Sequence, residues 1–492
     1  MVWNQKQKQA IDKIYEFIDQ NVDKIFYLVG YPGTGKTFLL ASIIKELLLS
    51  KKVSSFYICA PTHQALNVIE SNFKALVDNF HQIEFLTRIS FMTIHKLLDF
   101  KPIIMAQDGS KIFKSSTQSK FLKKVEQKIV VVDECSMVPQ SMVFELKKYT
   151  ESSPVKIIYL GDKNQLNPVK EDESLIFSTI PQNYYYHILL DEIMRTKSPD
   201  IKEVCTIIRQ WNQKDNLGKL LLPIHQKTGL KTFRLYHKKP DYLQTTWFKT
   251  FIKKMADGKI PIILTWTNAA ADNYNQIIRQ HVHKVCNLEN YIVGDYVMFN
   301  NYYLSPKDNS SFYTSNMVKI LTTKTEEIVL FDWMKIAVSP GNLADKGFNA
   351  LLKKLDGIQN KFKVDIFQVK KIHSDTDSDN KEYLVQTINK TDQASYNKMV
   401  EMVQEHIEFF YKKYQNEKLA TILWDAYYKK LVNPYANINF GYSTTTHKAQ
   451  GTTFQVVYVD VRDIGQNLKL NEMKKCLYTA AGRAAEELGF LF

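Results

Sequence analysis

The chain has few cysteines and no local pairing among them. Cys59, Cys135, Cys205, Cys286 and Cys476 are scattered and odd in number, with no C-x-x-C pair. That spacing argues against a disulfide framework, a zinc ribbon or an iron–sulfur cluster and leaves free thiols in a reducing compartment as the expectation. No apolar run is long enough to span a bilayer, so no membrane partner is expected. Met1 to Ile11 is polar and lacks the apolar core of a secretion signal, which makes a cytoplasmic location the default. Solenoid repeats and added nuclease motifs are also missing. Acid is in deficit: 51 Asp and Glu stand against 65 Lys and Arg, a formal net charge of +14. Lys and Arg gain affinity for a polyanion by releasing its counterions. A solvated lysine surface gives the same total, so the charge informs only when joined to motifs.

What is present is long enough for two or more packed domains, at 492 residues. Residues 5–20 carry Ala10, Ile11, Ile14, Phe17 and Ile18 at helical spacing. Ile25 to Val29, Ser55 to Cys59, Val130 to Val132 and Lys156 to Leu160 read as buried strands, and Lys36 to Leu49 as a helix. Strands alternating with helices predict an α/β fold with a parallel sheet covered on both faces. Pro102 to Phe113, with Asp108-Gly109 at its centre, predicts a β-hairpin inserted into that pattern. A second alternating region begins near Leu189, with a strand at Pro261 to Trp266, a helix from Asn268 to about Val282, and a strand at Gln455 to Val461. Between them, 291–390 shows short β-like stretches (Tyr291–Phe299, Asn316–Thr322, Glu327–Phe331, Glu382–Thr387), Ser374–Lys381 reads as an exposed loop, and 393–431 reads as helical. The expected division is 1–187, with the hairpin at about 98–127, then 188–290 joined with 438–492, and an inserted domain at 291–437.

Two motifs carry chemistry. Gly30-Tyr-Pro-Gly33-Thr34-Gly35-Lys36-Thr37 fits G-x-x-x-x-G-K-[ST] between a strand and a helix. Glycines let backbone N–H groups close on phosphate oxygens, and the helix N-terminus adds partial positive charge. Lys36 is expected at the β- and γ-phosphates of ATP, and the Thr37 hydroxyl on Mg²⁺. The apolar strand Ile129 to Val132 ends in Asp133 and Glu134. A carboxylate there holds the metal, assigned to Asp133, and its neighbour Glu134 orients and deprotonates the attacking water. A strand followed by two acids is common by chance, and it is the P-loop upstream that gives this one meaning.

Further segments resemble, in order, the motifs of superfamily 1B helicases of the Dda-like and RecD-like kind. Asp133-Glu-Cys-Ser-Met137 resembles their motif II, and Gly161-Asp162-Lys-Asn-Gln165-Leu-Asn-Pro168-Val their motif III. Ala60-Pro61-Thr62-His63 resembles motif Ia and Thr93-Ile-His95-Lys-Leu97 motif Ib. Leu190 to Arg195 is similar to motif IV, Thr445 to Gly451 to motif V, and Tyr478 to Ala484 to motif VI, while Asn4 to Ala10 resembles the Q motif. Motif V has Ala449 where Ser is frequent, and motif VI has Gly482 where Thr is usual.

The resemblance implies two RecA-like domains, a β-hairpin pin (domain 1B) and an SH3-like insertion (domain 2B). It implies ATP-driven 5′→3′ movement on single-stranded DNA with unwinding of duplex. RNA as substrate, or protein displacement with little unwinding, stands as the alternative, and a non-motor ATP-gated binding module as a further class. Gln7 would read adenine, and Gly451 would lie at the nucleotide. Arg195 and Arg483 would bring charge to the γ-phosphate, and Gln165 would sense it. Pro61, Thr62, His63, Thr93, His95, Thr446, His447 and Lys448 would meet the strand, with single-stranded DNA and its junctions as partner and replication or single-strand-binding proteins beside it. Phe91, Trp266 and Trp424 are stacking candidates for which core packing is the competing reading, and Ile112 or Phe113 is the candidate wedge. A monomer is expected, and deletion of 395–430 is expected to impair unwinding more than ATP turnover.

Overall fold

The computed structural model describes residues 3–50, 52–53, 55–74, 87–115, 129–152, 154–168, 171–192, 198–211, 232–236, 242–285, 290–336, 345–372 and 381–492. The chain divides into two compact units. One comprises Met1–Phe100, Ser115–Asn275 and Tyr442–Phe492, the other Lys101–Lys114 and Gln276–Gly441.

The first unit holds two parallel sheets. One contains β1 (Ile25–Gly30), β2 (Phe56–Ala60), β3 (Ile89–Thr93), β6 (Ile129–Val132), β7 (Lys156–Gly161) and β8 (His187–Leu190), in the order β3-β2-β6-β7-β1-β8. Its central strands are near-continuous apolar runs, as strands buried on both faces must be. Helix α1 (Gln5–Asp19) turns Ala10, Ile14, Phe17 and Ile18 onto this core. It starts at a capping box, in which Asn4 accepts from Gln7 N and Gln7 Oε1 accepts from Asn4 N at 3.1 Å. It ends on Lys156, whose buried Nζ donates to the carbonyls of Phe17 (2.8 Å), Ile18 (2.9 Å) and Gln20. Those carbonyls close α1, so the β7 lysine fills acceptors that the helix end leaves open.

The second sheet contains β9 (Phe233–Tyr236), β10 (Pro261–Thr265), β18 (Ser443–Thr445), β19 (Phe454–Asp460) and β20 (Ala484–Leu491), in the order β18-β10-β19-β20-β9. β10 and β18 are parallel neighbours although more than 170 residues separate them. Asn275, on the Asn268–His283 helix that follows β10, holds the start of β18. Its Oδ1 accepts from Tyr442 N (3.0 Å) and Ser443 N (2.8 Å), and its Nδ2 donates to Ser443 O (3.0 Å). The sequence between these points can therefore leave the sheet and return without disturbing it.

The second unit is built on an antiparallel sheet of β11 (Tyr296–Phe299), β14 (Met317–Val329), β15 (Lys361–Ile372), β16 (Glu382–Ile388) and β17 (Ile438–Phe440). Beside it lie the small pair β12 (Tyr303–Leu304) and β13 (Ser311–Phe312), and the hairpin of β4 (Phe100–Ile104) and β5 (Lys111–Ser115). Three helices, Lys346–Asp356, Gln393–Tyr414 and Glu417–Ala426, pack a core around Trp333, Phe348 and Trp424.

This unit differs most from the sequence expectations. Asn316–Thr322 and Glu327–Phe331 are not separate stretches, because β14 runs through the polar residues between them and pairs with β15 along its length, with a bulge at Ile320/Thr322. The Lys346–Asp356 helix was not anticipated, although Phe348, Leu351, Leu352 and Leu355 do fall on one face. Deleting 395–430 would remove Met399, Val403, Ile407, Phe410, Leu419 and Trp424 from the core, so it would unfold this unit rather than test unwinding alone. The Ser374–Lys381 loop lies, except for Lys381, outside the described residues. Among the described residues no helix is long and apolar enough to cross a membrane, and no cluster of three or more His, Cys, Asp or Glu could hold a metal.

Candidate functional site

The nucleotide motifs converge where chain leaves the C-terminal edge of the first parallel sheet, the place where open α/β sheets bind ligands, and are met there by residues that lead into β19 and β20 of the second. Pro32, Gly33, Gly35, Lys36, Thr37, Asp133, Glu134, Gln165, Gly451 and Arg483 line one cleft of about 330 Å³. After β1 the chain passes through Gly33 and Gly35 at φ +75° and +79°, a conformation that side-chain-bearing residues rarely adopt, and enters α2 (Lys36–Leu49). Thr34 is buried, and its hydroxyl bonds Tyr31 O at 2.9 Å. Lys36 Nζ donates to Gly30 O (2.7 Å) and Tyr31 O (3.0 Å), which holds the ammonium against the loop it must serve. Gln7 does not line the cleft. It is buried behind the loop, and its amide reaches Thr34 O at 3.4 Å.

Thr37 Oγ1 donates to Asp133 Oδ2 at 2.7 Å. Burial and the neighbouring Glu134 push the Asp133 carboxyl up to about 6, against the opposing pull of Thr37 and Lys36. Two oxygen donors this close, one a buried carboxylate that gains from positive charge, fit a Mg²⁺ ion that takes its remaining ligands from phosphate and water. Glu134 is held at φ +48°, ψ +40°, with its N–H on Asp133 Oδ1 at 2.7 Å. A non-glycine residue in this region stores strain that the surrounding fold must maintain, and such strain gathers at active sites. The thiol of Cys135 is fully buried and pushed well above its ordinary pKa, so it is inert.

From the other side, Arg483 follows the Leu470–Ala481 helix with its side chain 2% exposed. Its guanidinium donates to Thr479 O and Thr452 O, both at 3.3 Å. Gly482, the departure from the family pattern, has an ordinary helical φ of −69°. A Cβ there would stand 3.3 Å from Pro32 of the P-loop, so the missing side chain lets motif VI close on the loop. Gln165 Oε1, Gln450 Nε2 and Thr452 Oγ1 are buried without a hydrogen-bond partner. Of the three, Gln165 lines the cleft, where an orphaned polar atom suits a ligand or water. Asp162 also lines the cleft and was not anticipated as a site residue. It lies inside a motif that was recognised. Arg195 lies outside the described residues. A different arginine, Arg209 of the Pro199–Gln210 helix, sits 3.7 Å over the Tyr31 ring of the P-loop.

The strand-contact candidates divide. Thr62 Oγ1 accepts from Ala65 N (3.2 Å) and Thr93 Oγ1 from Lys96 N (3.3 Å), so each caps the helical turn that follows it. Pro61, His63 and His95 reach the surface beside them. The imidazoles of His63 and His95 have pKa values lowered by burial first, then by the charge of Lys96 and of His63 respectively. Thr446 corrects the expectation. It is fully buried, and its hydroxyl bonds Thr265 O at 3.1 Å, so it holds β18 to β10 instead of facing a phosphate. His447 and Lys448 follow it at the surface, near the partly exposed Trp266 at the end of β10. Phe91 packs edge-on against Phe73, 5.4 Å away. Trp424 is core: it is 1% exposed and donates from Nε1 to Ala106 O at 3.1 Å. On the hairpin, Ile112 is half-buried and Phe113 is 50% exposed.

A strained acid beside a P-loop, met from a second parallel sheet by an arginine, fits a P-loop nucleotide hydrolase. Residues 15–171 match the AAA domain family, and residues 440–491 match the UvrD-like helicase C-terminal domain. The chain is 49% identical over 493 residues to protein R530 of Acanthamoeba polyphaga mimivirus, covering 100% of each. It is 31% identical over 175 residues to the RecBCD enzyme subunit RecD of Buchnera aphidicola, which spans 35% of this chain and 27% of that protein. The solved structures it resembles include a Pif1 helicase from Candida albicans, at 15% identity, 100% and 95% coverage and TM-score 0.45. Another is Pif1 from Bacteroides in complex with ADP-AlF3 and single-stranded DNA, at 15% identity, 100% and 92% coverage and TM-score 0.44. The chain carries an AAA domain and a UvrD-like helicase C-terminal domain, the two parts of an ATP-hydrolysing helicase.

Proposed function

We propose that this protein is a DNA motor that uses ATP to move 5′→3′ along a single strand and part the duplex ahead of it. The observation that carries the reading is the cleft itself. Lys36, Asp133, Glu134 and Gln165 of one sheet share it with Gly451 and Arg483 of the other. Turnover there depends on how the two sheets are disposed, which is what a motor requires. Glu134 orients and deprotonates the attacking water, Lys36 and Arg483 meet charge developing at the γ-phosphate, and Gln165 senses its presence. Thr37 and Asp133 hold Mg²⁺, which neutralises phosphate oxygens when bound.

The strand is assigned to Pro61, His63, Thr93, His95, His447 and Lys448, with Thr62 and Thr93 shaping the loops that present them. The residues divide functionally as 1–187, then 188–290 with 438–492, and the insertion 291–437. The hairpin is the wedge, with Phe113 at its exposed face and the tip anchored by Trp424. Single-stranded DNA and its junctions are the partners, in a viral setting that the mimivirus relative supports.

The test is ATP turnover with and without single-stranded DNA, paired with unwinding of 5′-tailed and 3′-tailed duplexes. Stimulation with unwinding from the 5′ tail alone is the expected result. Unwinding from the 3′ tail overturns the polarity. Stimulation without unwinding makes the protein a protein-displacing translocase, and stimulation by RNA alone moves its substrate to RNA.

A further inference from the structure

We propose that Tyr478 is a positioning residue for ATP turnover, a hydroxyl latch tying the motif III loop to the helix that carries Arg483. The inference rests on the helicase reading and adds a residue to its machinery. Asp162 follows β7, lines the cleft and is 1% exposed. Its Oδ1 accepts from Asn164 N at 2.9 Å and from Asn164 Nδ2 at 3.3 Å, which folds the motif III loop over it. Its Oδ2 accepts from the Tyr478 hydroxyl at 2.9 Å. That hydroxyl comes from the other sheet's side, on the Leu470–Ala481 helix, and Tyr478 is itself 1% exposed.

The same helix touches the same loop twice more. Lys475 Nζ donates to Asn167 Oδ1 at 2.5 Å, and Lys469 Nζ lies 3.1 Å from Asp172 Oδ1. The last is an exposed rim contact and adds little. The Tyr478 bond is different because both groups are buried and the acceptor carries charge. Burial pushes the Asp162 carboxyl up, while Lys36, Asn164 and Tyr478 hold it down.

Tyr478 does not line the cleft, so it acts on the nucleotide only through what it positions. On one side that is Asp162 and, three residues on, Gln165, whose N–H bonds Asp162 O at 3.1 Å. On the other it is the helix end from which Arg483 projects, with Gly482 N on Tyr478 O at 3.0 Å and Arg483 Nε on Thr479 O. One hydroxyl therefore fixes the γ-phosphate sensor relative to the arginine. Opening the cleft takes the donor from Oδ2, so the bond favours the closed arrangement.

Tyr478→Phe keeps the ring's packing and deletes the bond. The expected result in the full chain is a roughly tenfold fall in strand-stimulated kcat, with KM for ATP within about twofold of wild type. The factor by which a non-hydrolysable ATP analogue shifts the Kd for single-stranded DNA, relative to ADP, should shrink toward one. Thermal melting tells an unfolded variant from an uncoupled one. Lys475→Ala, at the less buried second contact, should give the same pattern at about two- to threefold. A Tyr478→Phe protein that is folded and retains both kcat and the nucleotide-dependent shift overturns the latch. So does loss confined to melting temperature in both variants. Absence of strand stimulation in the wild-type chain overturns the helicase reading itself, and the latch with it.

Discussion

At the scale of single residues, the site is set by backbone conformations as much as by side-chain chemistry. Glu134 sits in the left-handed region directly after a straight apolar strand. Its carboxylate is aimed by a turn that nothing in the pair Asp133-Glu134 reveals. Arg483 is buried and held by two carbonyls. Arg483→Ala should lower kcat by roughly 10³-fold, the magnitude an arginine at a γ-phosphate supplies, with KM little changed. A loss under tenfold would assign the charge elsewhere, with Arg209 the first candidate. Gly482→Thr restores the commoner family residue but places atoms against Pro32. It should reduce turnover several-fold, and an increase would show that the close approach is not required. His63 and His95 have pKa values lowered from the ordinary histidine value, by burial first, so each imidazole takes up its proton at lower pH than a free one and the neutral form is favoured as pH rises past 7. His95→Ala should therefore leave the salt slope of strand binding unchanged at pH 7.5. Lys96→Ala should reduce it by about one, if Lys96 meets a phosphate. A slope that moves with His95 would mean the imidazole is charged there.

At the scale of elements, the legible parts were those with local causes. α2 runs from Lys36 to Leu49 as its sequence predicts, because a glycine at positive φ starts it. The hairpin formed where Asp108-Gly109 predicted it. Asp108 Oδ1 accepts from Ser110 N at 3.0 Å, and Gly109 adopts φ +67°. What the sequence could not show is that a Cβ at Gly109 would overlap the Trp424 ring, or that Tyr428 donates to Gly109 O at 2.7 Å. The tip is clamped by residues more than 300 positions away. Gly109→Ala should loosen it, lowering unwinding while strand-stimulated ATP turnover persists. Equal loss of both would remove the hairpin from strand separation. Lys156→Met strands three carbonyls at the end of α1 and should cost about 1–3 kcal/mol in denaturant unfolding. A neutral result would mean water replaces the ammonium. β14 was read as fragments because its middle, Thr322 to Glu327, is polar, and only pairing with β15 makes it a strand.

At the scale of the whole molecule, the net charge of +14 should make strand binding strongly dependent on salt. If six or more phosphates are contacted, affinity should fall by about 10³-fold between 50 and 200 mM salt. ATP affinity in the absence of the strand should change far less. A weak salt dependence would argue for a grip made of stacking and hydrogen bonds.

The sequence alone determined which residues could do chemistry. A P-loop needs its glycines, lysine and hydroxyl in one contiguous run, and an apolar strand ending in two acids is equally local. It also determined that the middle of the chain is an insertion, because the α/β pattern stops and resumes. Tertiary structure decided how distant pieces meet. It put Arg483 and Gly451 in one cleft with the P-loop, paired β10 with β18, buried Thr446 and Trp424 away from solvent, and joined Tyr478 to Asp162. The physical reason is range. Turn, cap and strand signals act over a few neighbouring residues, whereas burial and hydrogen bonding across a cleft depend on which surfaces the completed sheets bring together.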